Sequence, residues 1–142
     1  MPTPLATVAT AAEEPEAEEA ELADATAAYE QGLAHYKAGE FDQAIEAYTQ
    51  AIVMEPEFAD AYAARGSAYY GKGDSERAII DFDAAISINP EFSAAYFTRG
   101  VIYQKLGEKE RAIADFEKVL EVADEPPLQK LAEQRLQELE AE

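Results

Sequence analysis

The 142-residue chain carries 30 acidic against 11 basic residues, a formal net charge of −19, and no cysteine. An acidic surface of this kind repels phosphate backbones and anionic headgroups, which disfavours nucleic acid and membrane-surface binding, and the lack of thiols removes disulfides, thiolate metal sites and thiol catalysis. The length suits one domain, and no apolar run approaches a membrane span.

The first segment, residues 1–22, holds Thr, Pro, Ala and Glu with almost no large apolar side chains, which predicts an acidic disordered tail. Helix formers from Glu16 to Asp24 predict a helix that starts near Pro15 and continues beyond Asp24. The segment lacks the basic start and apolar core of a signal peptide. Its Thr-Pro-Ala opening resembles linkers that follow a removed export signal in bacterial surface proteins, so the expected compartment is cytoplasmic or exported, and Met1 need not be the native start.

From residue 25 the chain repeats on a 34-residue period. Gly32, Gly66 and Gly100 recur with Ala44, Ala78 and Ala112 twelve residues behind; Gly39, Gly73 and Gly107, Tyr48, Phe82 and Phe116, and Pro56 and Pro90 share the register. Apolar residues at three- and four-residue intervals, as in Ala44, Ile45, Tyr48, Ala51 and Ile52, line one stripe of a helix. Each unit has room for two such helices, turned at its second glycine and stopped before its proline. The period predicts an all-α solenoid of stacked antiparallel hairpins.

Gly, Ala, aromatic, Ala and Pro in this order and spacing resemble the tetratricopeptide repeat family, over three repeats at 25–58, 59–92 and 93–126 within a domain at 23–140. Ala28 departs from the pattern where Tyr62 and Tyr96 stand, and Asp124 replaces the terminal proline. After Pro126-Pro127, Leu128, Leu131, Ala132, Leu136 and Leu139 fall on one side of a helix at 127–140, which resembles the capping helix that closes such an array.

Several residues invite a chemical reading that the register answers differently. His35 takes the place of Tyr69 and Tyr103 and reads as a part-buried ring packing inside its hairpin, with no nucleophile beside it. The string Gly71-Lys72-Gly73-Asp74-Ser75 follows a helix and lacks Walker spacing, so it reads as an interhelix turn with Asp74 or Ser75 capping the next helix. The carboxylate pairs Asp81/Asp83 and Glu108/Glu110 stand two residues apart on helices and diverge, which argues against a metal or glycosidase-type pair and for solvated surface. No catalytic residue, metal site or cofactor is expected. Arg65 and Arg99 recur together with Asp81 and Asp115 sixteen residues on, whereas the first unit has Gln31 and Ala47 there, which predicts a structural Arg/Asp pair inside the second and third hairpins.

The resemblance implies a groove formed by the first helix of each hairpin. Counted onto this sequence it comprises Tyr29, Leu33, Tyr36, Ala63, Ser67, Tyr70, Phe97, Thr98, Val101 and Lys105. One subclass of the family clamps the C-terminal carboxylates of heat-shock chaperones with Lys, Asn and Arg; those positions here are Tyr29, Leu33, Ala64, Ala94 and Thr98, none of them cationic, so the resemblance does not extend to that ligand. The implied function is a non-enzymatic scaffold or adaptor that holds a protein segment of apolar, aromatic or basic character. The competing expectation is a homo-oligomer in which the tail or cap helix of one chain packs on another.

Overall fold

A computed structural model describes residues 10–142, with side chains from residue 15 onward. Seven helices follow one another: α1 (Thr10–Lys37), α2 (Phe41–Met54), α3 (Ala59–Gly71), α4 (Ser75–Ile88), α5 (Ser93–Lys105), α6 (Lys109–Val122) and α7 (Pro126–Glu140). They pair as three antiparallel hairpins, α1 with α2, α3 with α4 and α5 with α6, and α7 packs on α6. The described residues are all-α.

Each hairpin turns in the same way. Gly39, Gly73 and Gly107 have φ of 77°, 90° and 76°, the left-handed conformation that glycine adopts without steric cost. In the first turn Glu40 N donates to His35 O at 2.9 Å and Gly39 N to Tyr36 O at 3.0 Å, a pair that satisfies carbonyls left free by the helix end. The same pairs recur at Asp74 and Gly73, and at Glu108 and Gly107. Asp74 also caps α4, its Oδ1 accepting from Arg77 N at 3.1 Å. α2 and α4 stop just ahead of Glu55-Pro56 and Asn89-Pro90.

Small residues set the closeness of each hairpin. A Cβ on Gly32 would stand 2.4 Å from the Tyr48 ring, and one on Gly100 would stand 2.9 Å from Phe116. Ala44, Ala78 and Ala112 on the facing helices are fully buried. The core then runs as a chain of clusters. Ala44, Tyr48 and Ala68 join the first hairpin to α3, Phe82, Ala85, Ala95 and Ile102 join the second to α5, and Phe116, Val119, Ala132 and Leu139 join the third to α7.

Two expectations need correction. The acidic segment is helical from Thr10, so disorder does not extend to residue 22; Ala, Glu and Leu favour the helix intrinsically, and the packed part of α1 supplies its nucleus. Residues 15–24 are exposed along that extension, which passes through Pro15, and the part of the tail expectation that covers residues 1–9 lies outside the described residues. In α7, Ala132 and Leu139 are buried and Leu128 and Leu136 partly so, but Leu131 is 46% exposed. The contact stripe is narrower than five apolar positions suggested, because Leu131 lies on the outer flank.

Candidate groove across the first helices

Helices α1, α3 and α5 present different side chains to their common face. α1 offers Tyr29, Leu33 and Tyr36, whereas α3 offers Asp60 at its start and only Ala63, Ala64 and Ser67 near the middle. The small residues leave a trough. One cleft of about 150 Å³ is bounded by Tyr29, Asp60, Ala63, Ala64, Ser67, Ala94 and Thr98 among others. A second of about 150 Å³ is bounded by Leu33, Tyr36, Tyr48, Ala64 and Ser67. Ala64 and Ser67 belong to both, so the two clefts adjoin across α3.

The walls on the α1 side are held by aromatic contacts. The Tyr29 ring packs at 5.1 Å from Phe58 and 5.8 Å from Tyr48, and the Tyr36 ring meets Phe41 edge-on at 5.5 Å. Burial, together with the nearby Asp60 carboxylate, pushes the Tyr29 hydroxyl above its ordinary pKa. Burial likewise pushes Tyr48 up to about 12, with Tyr29 and Tyr36 adding to the shift. Both phenols are neutral donors and acceptors near neutral pH.

The remaining sequence-chosen residues divide. Thr98 lines the first cleft and its Oγ1 donates back to Ala94 O at 3.0 Å. Tyr70 and Lys105 stand together, the ammonium 5.4 Å from the ring centroid, which carries the cation over the aromatic face. Phe97 and Val101 are half-buried against the third core, with Phe97 5.5 Å from Phe116, so their packing role is at least as large as any groove role.

The Arg and Asp positions form a ladder between helices. Arg65 donates from Nε and Nη2 to Asp81 at 2.8 Å each, and Arg99 does the same to Asp115 at 2.9 and 2.7 Å. Both guanidinium side chains are 19% exposed and both carboxylates are buried. The bidentate hydrogen bonds raise both arginine pKa values against the opposing effect of burial. The third nitrogen reaches the preceding hairpin: Arg65 Nη1 donates to Thr49 Oγ1 at 3.2 Å and Arg99 Nη1 to Asp83 Oδ1 at 2.7 Å. Asp83 is therefore an inter-hairpin acceptor and not merely solvated surface. The signal was in the sequence, since Thr49 and Asp83 precede their arginines by the same sixteen residues that separate the arginines from Asp81 and Asp115.

The His35 ring is part-buried at the first turn, with Nδ1 3.2 Å from Glu40 Oε1. Sequence reasoning missed Phe41, whose ring lies where a Cβ on Gly71 would stand at 2.7 Å, and the polar link in which Gln104 joins Arg135 and Glu138 of α7. Among the described residues no cluster of three or more His, Cys, Asp or Glu is arranged to hold a metal, and no helix is long and apolar enough to cross a membrane.

Family models described as tetratricopeptide repeat match residues 29–91 and 93–125. Among solved structures, the second TPR of Spaghetti (RPAP3) bound to the HSP90 peptide SRMEEVD is 32% identical, covering 75% of this chain and 98% of that one with a TM-score of 0.71. The Arabidopsis OM64 TPR domain is 28% identical over 83% of this chain and 98% of that one, with a TM-score of 0.76. MamA is 35% identical over 70% of this chain and 58% of that one, with a TM-score of 0.67. No curated protein sequence matches.

Proposed function

Because this chain belongs to the tetratricopeptide repeat family, we propose that it is a non-enzymatic adaptor or scaffold module that holds an apolar segment of a protein partner in the trough across α3. The observation that carries this reading is the run of small side chains at Ala63, Ala64 and Ser67 between the aromatic wall of α1 and the Ala94/Thr98 edge of α5. A floor of this shape admits the large apolar side chains that anchor peptide and helix ligands. The similar Spaghetti (RPAP3) domain is bound to the HSP90 peptide SRMEEVD, whose last residue is an aspartate. In this chain Tyr29, Leu33, Ala64, Ala94 and Thr98 offer no cation for a terminal carboxylate, which supports a different ligand for a related groove.

Selection of a random peptide library on the protein, followed by fluorescence-anisotropy titration of the enriched peptide, tests the reading. Ser67→Phe fills the trough from a half-buried position and should reduce affinity more than tenfold, equivalent to about 1.4 kcal/mol, with the circular dichroism spectrum unchanged. Enrichment of no sequence, or equal affinity for the filled variant, would overturn it. Self-association in place of partner binding would instead show as a mass that rises with concentration in light scattering.

A further inference from the structure

We propose that the partner segment is amphipathic with lysines or arginines along one edge, and that this edge lies on the carboxylates Glu55, Glu57 and Asp60 at the end of the trough where α3 begins. The inference rests on the groove reading and adds the charge and orientation of the ligand.

Asp60 belongs to two surfaces. It bounds the trough cleft together with Ala63, Ala64 and Ser67, and it also bounds an adjoining cleft of about 480 Å³ with Glu55, Glu57, Phe58 and Leu22. A ligand seated on the small floor of α3 and extending past Asp60 therefore enters a space that mixes Leu22, Ala25 and Phe58 with polar groups and three carboxylates. None of the three makes an ion pair among the described residues: no lysine, arginine or histidine nitrogen there lies within 4.0 Å of them. Among the described residues the one hydrogen bond to these carboxylates is Glu57 N donating to Glu55 Oε1 at 3.3 Å, so acceptor capacity remains for a ligand. A lysine or arginine suits such a space, with its methylene stem against Phe58 and Leu22 and its head on the carboxylates.

The opposite end of the first helices adds two lysines to acidic turn residues such as Glu40 and Glu108. Lys105 stands over Tyr70, and Lys37 ends α1 in an exposed position. A segment with basic residues on both edges would meet like charge there, whereas one with a single basic edge would not. Charge in the rim of an interface sets orientation and encounter rate more than total affinity, and it is sensitive to salt.

The test uses three synthetic helical peptides that share a leucine and phenylalanine stripe and differ on one edge, which carries lysine, glutamine or glutamate. Each is titrated into the whole protein by fluorescence anisotropy at low and high salt. The lysine peptide should bind tightest and the glutamate peptide weakest. Glu57→Gln with Asp60→Asn should reduce lysine-peptide affinity about two- to five-fold for each carboxylate removed and leave the glutamine peptide unchanged. Ser67→Phe should weaken all three. Equal binding of the lysine and glutamine peptides, both blocked by Ser67→Phe, would overturn the basic-edge inference and leave the groove reading intact. Lysine-peptide binding that Ser67→Phe does not touch would mark general attraction to an acidic surface and overturn the inference. Binding of none of the peptides would overturn it as well, whereas failure of the library selection would overturn the groove reading on which it rests.

Discussion

The first hairpin and the third reach the same geometry by different means. In the third, Arg99 holds Asp115 by two parallel hydrogen bonds, reaches back to Asp83, and joins α5 to α6 and to α4. In the first, Gln31 and Ala47 occupy the equivalent positions, and α1 is held by the Tyr29, Tyr48 and Phe58 rings. Buried ion pairs contribute little net stability compared with apolar packing, yet they are costly to break and they fix one relative placement of the helices. An arginine at position 31 would also lack its second acceptor, since no described hairpin precedes α1. The arginine therefore serves the joint between hairpins as much as the hairpin itself.

Breaking the ion pair from one side should give the largest effect. Asp115→Ala leaves Arg99 largely buried with only Asp83 as partner and should destabilise the protein by about 3–5 kcal/mol in urea denaturation, whereas replacing both residues by well-packed apolar ones should cost far less. A loss below about 1 kcal/mol for the single variant would remove the ladder from the account of stability.

The aromatic hairpin has its own signature at high pH. Because the folded-state pKa of Tyr48 is raised to about 12, its contribution is fully present below the unfolded value of 10.0 and is lost as pH rises through about 12. The loss should amount to about 3 kcal/mol. Tyr48→Phe should abolish this component, since Phe82 and Phe116 already fill the equivalent positions without titrating. Alkaline denaturation monitored by circular dichroism compares the two proteins.

Close approach provides a third contrast. Gly32→Ala places a Cβ 2.4 Å from the Tyr48 ring, whereas Gly66→Ala meets its nearest atoms at 3.1 Å. The first should cost about 1–3 kcal/mol by thermal melting and the second less; equal costs would show that the Tyr48 ring yields freely. The smallest effect is a gain. Thr49→Asp gives Arg65 the kind of acceptor that Asp83 gives Arg99 and should add up to about 1 kcal/mol, read as a shift of the urea midpoint.

The solenoid was legible because its cues are local and repeated. Glycine at the turns, proline past the second helices and alanine opposite glycine each follow from backbone sterics alone, and the period multiplied them. Residues whose partners lie in another hairpin were harder to read. Phe41 on Gly71, Asp83 on Arg99 and Gln104 on Arg135 depend on how one hairpin is stacked on the next, which no single unit contains. The groove was partly legible: family positions named Ser67 and Tyr36, but the trough arises from the contrast between the small floor of α3 and the rings of α1. Phe97 shows the limit, since one position can satisfy the groove pattern and still turn toward Phe116.

The backward reach of Arg65 and Arg99 makes the array extendable by a simple rule. Each hairpin after the first brings an arginine and finds a hydrogen-bond acceptor already placed on the last helix before it, Thr49 for the second and Asp83 for the third. Glu117 holds the next such position, while α7 places Glu133 where the arginine would come. A duplicated copy of residues 59–92, inserted between α6 and α7, would therefore present its arginine to a waiting carboxylate, so the chain can lengthen its binding surface one hairpin at a time without redesign of the joint.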